Sequence, residues 1–513
     1  MSADLTAAPP LPVEDATWHR LSPRMLLVHP VIEVGRALPA LVGLVFAGGA
    51  HHNGSYWGLV GAGVVAVLSL SRWFTTRLRI TPENVQLRRG LIVRKTLTTS
   101  RERIRTVDVT SHLLHRVLGL ARVVVGTGTN DRKGEGRILL DGLPTSDAHQ
   151  LRDDLLHREP QSPPTGVART VEHVTAAGAE RELVRLDRRW IRYAPFTLSG
   201  VLTGLVLWGF YWRIQSESGV DLTKRGPLHA VARWFDGMPT TAGVLIVIAA
   251  VLMFVGITST VGYVLAFWNF RLVRHDGGTL QVTRGLITTR ATSIEHRRLV
   301  GVQVSEPLGL RLVGAARTLV IATGLRTGRG AERGGETLLP PAPLTDAVAV
   351  CALVLDGTSA LRTELIRHPP AARRRHLTRA VIGGVVVLAA LLLGWATGAP
   401  VWTVGVGIGV LLGSVALGLD RYASLGHALA DGFLVARLGS LIRRRSVLHC
   451  DAVIGWNLES TFFQRRLRLT TLTATTAAGR QGYGVIDVDP GEALRLADAV
   501  TPGLLTQFCR TPQ

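Results

Sequence analysis

Long apolar runs alternate along this chain with more polar segments in which short runs rich in β-branched residues are broken by turn signals. The apolar runs cover 37–50, 56–74, 193–212, 242–268 and the uncharged stretch 380–419. About 20 apolar residues cross a bilayer core as a helix. Gly398-Ala399-Pro400 divides the last stretch in two, so six membrane helices are predicted in three pairs. The first run reaches spanning length only with His51, His52 and Asn53 at the interface. The second carries aromatics at both ends, where an interfacial belt places them, and Arg72 can snorkel to the surface.

A strand-rich segment follows each pair. In the first, short runs rich in β-branched residues (77–81, 85–89, 91–98, 104–109, 122–127 and 137–141) are separated by turn signals such as Pro82-Glu83-Asn84 and Gly134-Glu135-Gly136. Residues 112–118 predict one or two helical turns. Thr145-Ser146-Asp147 ahead of Leu151, Leu155 and Leu156 predicts a closing amphipathic helix. The second segment closes with a helix at 344–355, the third with one beginning near Asp489-Pro490-Gly491. The predicted order is a 1–36 N-terminal segment, hairpin 37–74, domain 75–159, linker 160–192, pair 193–268 with external loop 213–241, domain 269–358, basic linker 359–379, hairpin 380–419 and domain 420–513.

The three segments are copies of one unit. An offset of 195 carries Gly90 to Gly285, Ile92 to Ile287, Arg116 to Arg311 and Arg122 to Arg317 without a gap. An offset of 350 carries Ile92 to Ile442, Ile104 to Ile454 and Arg116 to Arg466. In that alignment the third copy has an extra residue in Gly439-Ser440-Leu441-Ile442, and Leu472 stands where Arg122 and Arg317 stand. So long a period means duplicated domains, not a solenoid.

Charge adds orientation. The chain of 513 residues is 47% hydrophobic yet carries a formal charge of +21. Apolar spans beside basic clusters favour a membrane surface over nucleic acid, which would want aromatics among the charges. The segment 71–192 holds 23 Lys or Arg, the loop 213–241 four, and the turns at 51–56 and 398–400 none. The positive-inside rule then puts the N-terminus and all three domains in the cytoplasm. Residues 1–36 show no signal-peptide pattern. Cys351, Cys450 and Cys509 form no C-x-x-C pair, so neither a disulfide framework nor a zinc site is predicted.

Candidate chemistry is sparse. No Asp, Glu, Lys or His lies inside the five stronger spans, which argues against ion-coupled transport. Gly328-Arg329-Gly330 with Gly334-Gly335 lacks the Gly-Lys-Ser/Thr ending of a phosphate loop and aligns with a hairpin tip. His112 and His115 have metal-like spacing, but the second copy has Pro307 and Leu310 there. No Ser/His/Asp set recurs between copies. The position shared by all three copies is Arg116, Arg311 and Arg466, set beside apolar neighbours. It is either a juxtamembrane turn contacting lipid phosphate or a partner, or an arginine whose stem packs on its own domain. The second reading is favoured.

The Gly-Leu-Ile motif (90–92, 285–287) ahead of a Val-x-Val strand, with Arg-Val-Val-Val (122–125) and Thr-Leu-Val-Ile (318–321) after a membrane hairpin, resembles the bacterial PH-like membrane proteins of the YdbS/YdbT type, in the three-copy form. The resemblance covers nearly the whole chain. It implies helical hairpins alternating with all-β pleckstrin-homology-like barrels, each closed by a C-terminal helix. It supplies no catalytic residue, metal or cofactor. The expected role is a non-enzymatic scaffold of the inner membrane in envelope maintenance or antimicrobial-peptide resistance, pairing with a smaller member of the family or with anionic lipid. A lipid or peptide exporter gated by the domains is the alternative.

Overall fold

The computed structural model describes residues 18–28, 76–126, 137–156, 181–197, 204–209, 238–325 and 336–504, apart from short gaps within these stretches. The expected hairpin at 37–74, the Gly-Leu-Ile motif at 90–92, His51-His52, most of the 193–212 span and the 326–335 hairpin tip lie outside the described residues. The chain divides into two compact units, the first mainly 1–170 and the second mainly 171–513.

In the first unit, β1 (His19–Arg20), β2 (Arg77–Ile80), β3 (Asn84–Arg89) and β4 (Lys95–Ser100) form an antiparallel sheet in that order. After them come β5 (Thr106–Ser111), α1 (Leu113–Val117), β6 (Leu120–Gly126), β7 (Arg137–Pro144) and α2 (Thr145–Leu156). β5, β6 and β7 pair antiparallel in sequence order. Successive strand residues point to opposite faces, so Val123 and Val125 are buried while Arg122 and Val124 are only half-buried. The core joins Leu78, Val85 and Leu87 of the first sheet to Val107, Val123 and Leu140 of the second. Ala148 and Leu151 of α2 belong to the same cluster.

The second unit begins with β8 (Arg181–Arg185) and a 3-10 helix, Arg188–Phe196, which takes in the first residues of the expected third span. Then comes α3 (Thr240–Phe267), 28 residues long. At 1.5 Å per residue such a helix exceeds the roughly 30 Å of a hydrocarbon core. Its span has a mean hydropathy of 2.7 and is 6% buried, so its apolar side chains face outward all round. Water does not tolerate such a surface and lipid does. Its polar Ser259 is fully buried and donates to the Ala194 carbonyl at 2.6 Å, which ties α3 to the 3-10 helix.

β9 (Arg271–His275), β10 (Thr279–Arg284) and β11 (Thr289–Glu295) continue beside β8. β12 (Leu299–Pro307), α4 (Leu308–Leu312), β13 (Ala315–Ala322), β14 (Thr337–Pro343) and α5 (Leu344–Val354) complete the second copy. The apolar stretch after it forms α6 (Pro370–Ala396) and α7 (Trp402–Ala423), with Gly398 in a left-handed conformation between them. The two helices meet closely at small residues. A Cβ on Gly384 would lie 2.7 Å from a Leu411 methyl, and one on Gly418 2.8 Å from the Ala380 Cβ. Within the described residues α3, α6 and α7 are the helices long and apolar enough to cross a membrane.

The third copy comprises β15 (Gly426–Ala430), β16 (Phe433–Leu438), β17 (Ile442–His449), β18 (Gly455–Glu459), α8 (Phe462–Arg466), β19 (Thr470–Thr475), β20 (Gly482–Val488) and α9 (Pro490–Val500). Its first three strands do not stay within the copy. β17 pairs antiparallel with β12 of the second copy from Gly301–Leu448 to Pro307–Ile442, giving a six-stranded sheet ordered β14-β13-β12-β17-β16-β15. β16 is accordingly buried on both faces. Phe433 and Val435 join the core of the second copy, Leu434 and Ala436 that of the third. The barrels expected from the sequence are not closed among the described residues. The edge that closure would use, that of β17, is taken by the neighbouring copy.

Candidate functional site

The short helix between the fifth and sixth strands of each copy carries the sequence-predicted arginines. Gly119 and Gly314, just past α1 and α4, both have φ of +67°, and Arg468 after α8 has +51°. The buried third residue of the helix is His115, Leu310 and Gln464 in turn. Both markers fix the third copy at an offset of 349, not 350. Gly285 and Gly439, at φ +107° and +103°, obey the same register, so the expected extra residue does not exist. The structure therefore corrects three assignments. Arg465 stands where Arg116 and Arg311 stand, Arg466 where Val117 and Leu312 stand, and Thr471, not Leu472, where Arg122 and Arg317 stand. The alternative register arose because Val453-Ile454 and Arg465-Arg466 are pairs of like residues, and burial alone tells their members apart. Val453 is 7% exposed and Ile454 67%.

In the first unit α1 turns His115 inward and leaves Leu113, Leu114, Arg116 and Val117 exposed. His115 Nε2 lies 3.2 Å from Asp141 Oδ1, and Arg122 donates to Asp141 Oδ2. Burial on its own would raise the Asp141 pKa, but hydrogen bonds from His115 and Arg122 outweigh it and hold the carboxyl well below the usual range. His115 thus serves an internal ion cluster, a role its spacing from His112 does not announce.

In the second copy Arg311 turns along the domain. Its Nη2 lies 3.0 Å from Asp420 Oδ1 at the end of α7, and the same carboxylate accepts from Ser440 Oγ at 2.7 Å. Arg443 Nη2 approaches it at 3.5 Å. Leu312 next to Arg311 is 77% exposed.

In the third copy a capping box of Thr461 and Gln464 starts α8. Gln464 Nε2 donates to Asp487 Oδ1 at 2.7 Å and to Thr471 Oγ1 at 2.9 Å. Asp487 is fully buried and also takes Arg375 and His376 from the first turns of α6, the histidine at 3.0 Å. Burial would raise its pKa, but hydrogen bonds from His376, Arg375 and Gln464 hold it at about 2. His368 Nδ1 faces the Asp487 carbonyl at 3.2 Å, and its Nε2 faces His427 Nδ1 at 3.3 Å. This buried network was not anticipated from the sequence. Its only signal there is an acidic residue in the apolar alternation of Val485-Ile486-Asp487-Val488.

The outer face of α8 carries Phe462 and Phe463, 64% and 69% exposed, beside exposed Arg465, Arg466 and Arg468. Hence each short helix has an apolar outer rim. Arg116 and Arg466 are exposed on theirs, while Arg311 is engaged with Asp420. Among the described residues no group of three or more His, Cys, Asp or Glu side chains is placed to hold a metal ion.

Comparisons with known proteins agree with this architecture. A family model described as Bacterial PH domain matches residues 31–159, 229–356 and 377–502. The chain is 19% identical over 493 residues to the UPF0699 transmembrane protein YdbT of Bacillus subtilis (strain 168), covering 93% of this chain and 96% of that protein. No solved structure matches it.

Proposed function

Because this chain belongs to the bacterial PH domain family, with three copies of the domain on a transmembrane protein, we propose that it is a non-enzymatic scaffold of the inner membrane. Its three PH-like domains stand on the cytoplasmic side and present their surfaces to one partner assembly in envelope maintenance or antimicrobial-peptide resistance. The observation that carries this reading is the pairing of β12 with β17. It fuses two domains through their backbones and locks their spacing. Surfaces held at fixed spacing on one membrane bind a repeated or extended partner with avidity. A smaller PH-like membrane protein of the same family is the proposed partner, and the outer rims of the short helices are the proposed contacts, through exposed Arg116 and Arg466 and through the apolar neighbours of Arg311, whose own guanidinium is held by Asp420.

Crosslinking in native membranes, followed by purification of the intact chain, tests the reading. A specific protein recovered with the wild type and lost with Arg116→Ala and Arg466→Ala combined, which leave the Arg311–Asp420 pair intact, supports it. Recovery of the chain alone with crosslinkers of several reactivities contradicts it.

A further inference from the structure

The hairpin of α6 and α7 is more than an anchor. Where α6 enters and α7 leaves the apolar zone, a cleft of about 690 Å³ opens between them. Its deeper wall is apolar, formed by Gly383, Val387, Val410 and Leu417. At the basic ends of the two helices it is lined by Arg379 and Arg421, with Ser440 and Leu441 beside them. Both arginines are exposed, and neither has an ion-pair partner among the described residues. The nearest acid in sequence, Asp420, is already shared by Arg311, Arg443 and Ser440. His376, which also lines the cleft, faces Asp487. This end of the cleft therefore carries two uncompensated positive charges over an apolar slot on membrane helices.

We infer that this cleft is a binding site for one anionic glycerophospholipid, with its phosphate at Arg379 and Arg421 and an acyl chain along Gly383, Val387 and Val410. The volume lies within the 300–1,000 Å³ or so typical of ligand pockets. It accommodates the headgroup and the first part of a chain, and the rest of the chain stays in the bilayer. Basic pockets between membrane helices select anionic headgroups. A choline headgroup would bring its ammonium to the same two arginines and is disfavoured. A soluble anion gains nothing from the apolar wall. A Cβ built on Gly383, which lines the slot, meets nothing within 4 Å, so a larger side chain there has room to occupy it. The inference stands whether or not the scaffold reading holds, since no protein partner enters it.

The intact chain in nanodiscs of phosphatidylcholine with a minor share of phosphatidylglycerol provides the test, with bound lipid read by native mass spectrometry. The wild type should retain phosphatidylglycerol about tenfold above its share of the bilayer. Arg379→Gln with Arg421→Gln should reduce this to the bilayer ratio. Gly383→Leu should do so with both arginines in place and tests the slot independently of the charges. Excess inorganic phosphate should leave the enrichment intact. Absence of enrichment in the wild type, its persistence in both variants, or its full displacement by inorganic phosphate would overturn the site.

Discussion

Arg311, on the short helix of the second domain, holds Asp420 at the end of α7 by two contacts, Nη2 to Oδ1 at 3.0 Å and Nη1 to Oδ2 at 3.2 Å. A planar guanidinium meeting a carboxylate in this two-point manner is geometrically specific. It links a soluble domain to the membrane hairpin that follows it. Arg311→Ala should lower stability by about 1–3 kcal/mol, and Arg311→Lys should restore only part, because an ammonium cannot make both contacts. Thermal unfolding of the full chain in detergent, in a double-mutant cycle with Asp420→Asn, checks this.

Asp141 should be the most sensitive charged position of the first domain. Asp141→Asn keeps the shape but removes the charge that His115 and Arg122 face. Breaking a buried pair by neutralising one partner costs about 3–5 kcal/mol. Hydrogen exchange over β5, β6 and β7 should accelerate in the variant, with residues 426–500 unaffected.

Acid should weaken the third domain. Burial and the adjacent His427 press the His368 pKa down to about 4. Burial also lowers that of His427, against the opposing charge of Glu492. An unfolded histidine titrates near 6.5, so between about pH 6.5 and 4 the unfolded chain binds the additional proton. Stability is therefore full above that window and falls as pH drops through it, by about 3 kcal/mol for His368. His368→Gln should flatten the dependence, as read by unfolding midpoints over that range.

Gly301 is required where β12 runs beside β17. A Cβ there would lie 2.0 Å from the Val447 carbonyl oxygen. Gly301→Val should part the two strands locally, and amide exchange at 444–448 should rise well above that of β19.

The elements themselves were legible in the sequence. A β-branched run marks β6, the uncharged run marks most of α6 and α7, and Asp489 ahead of Pro490 marks the start of α9, where its carboxylate accepts from Gly491 N–H at 2.9 Å. What escaped was the partner of each edge. β12 and β17 carry no local signal that they pair with each other, because backbone hydrogen bonds are indifferent to which copy supplies them. The third-copy register slipped by one for a related reason. Arg465 and Arg466 are chemically alike, and the inward turn of Gln464 between β18 and β19 is a tertiary fact. The Asp487 network draws on α6, α8 and β20, elements too far apart in sequence for spacing to connect them.

The pairing of β12 with β17 is what makes two domains into one body, and a disulfide can report it. Gln303 and Ser446 are register partners, both buried. Directly opposed residues of an antiparallel pair lie within the Cα separation that a disulfide needs. With the native cysteines replaced, Gln303→Cys with Ser446→Cys should crosslink readily in intact membranes. Gln303→Cys with Arg444→Cys, two positions out of register and farther than a disulfide spans, should not. Failure of the first pair to crosslink, or equal crosslinking of both, would contradict the shared sheet and with it the fixed spacing on which the scaffold rests.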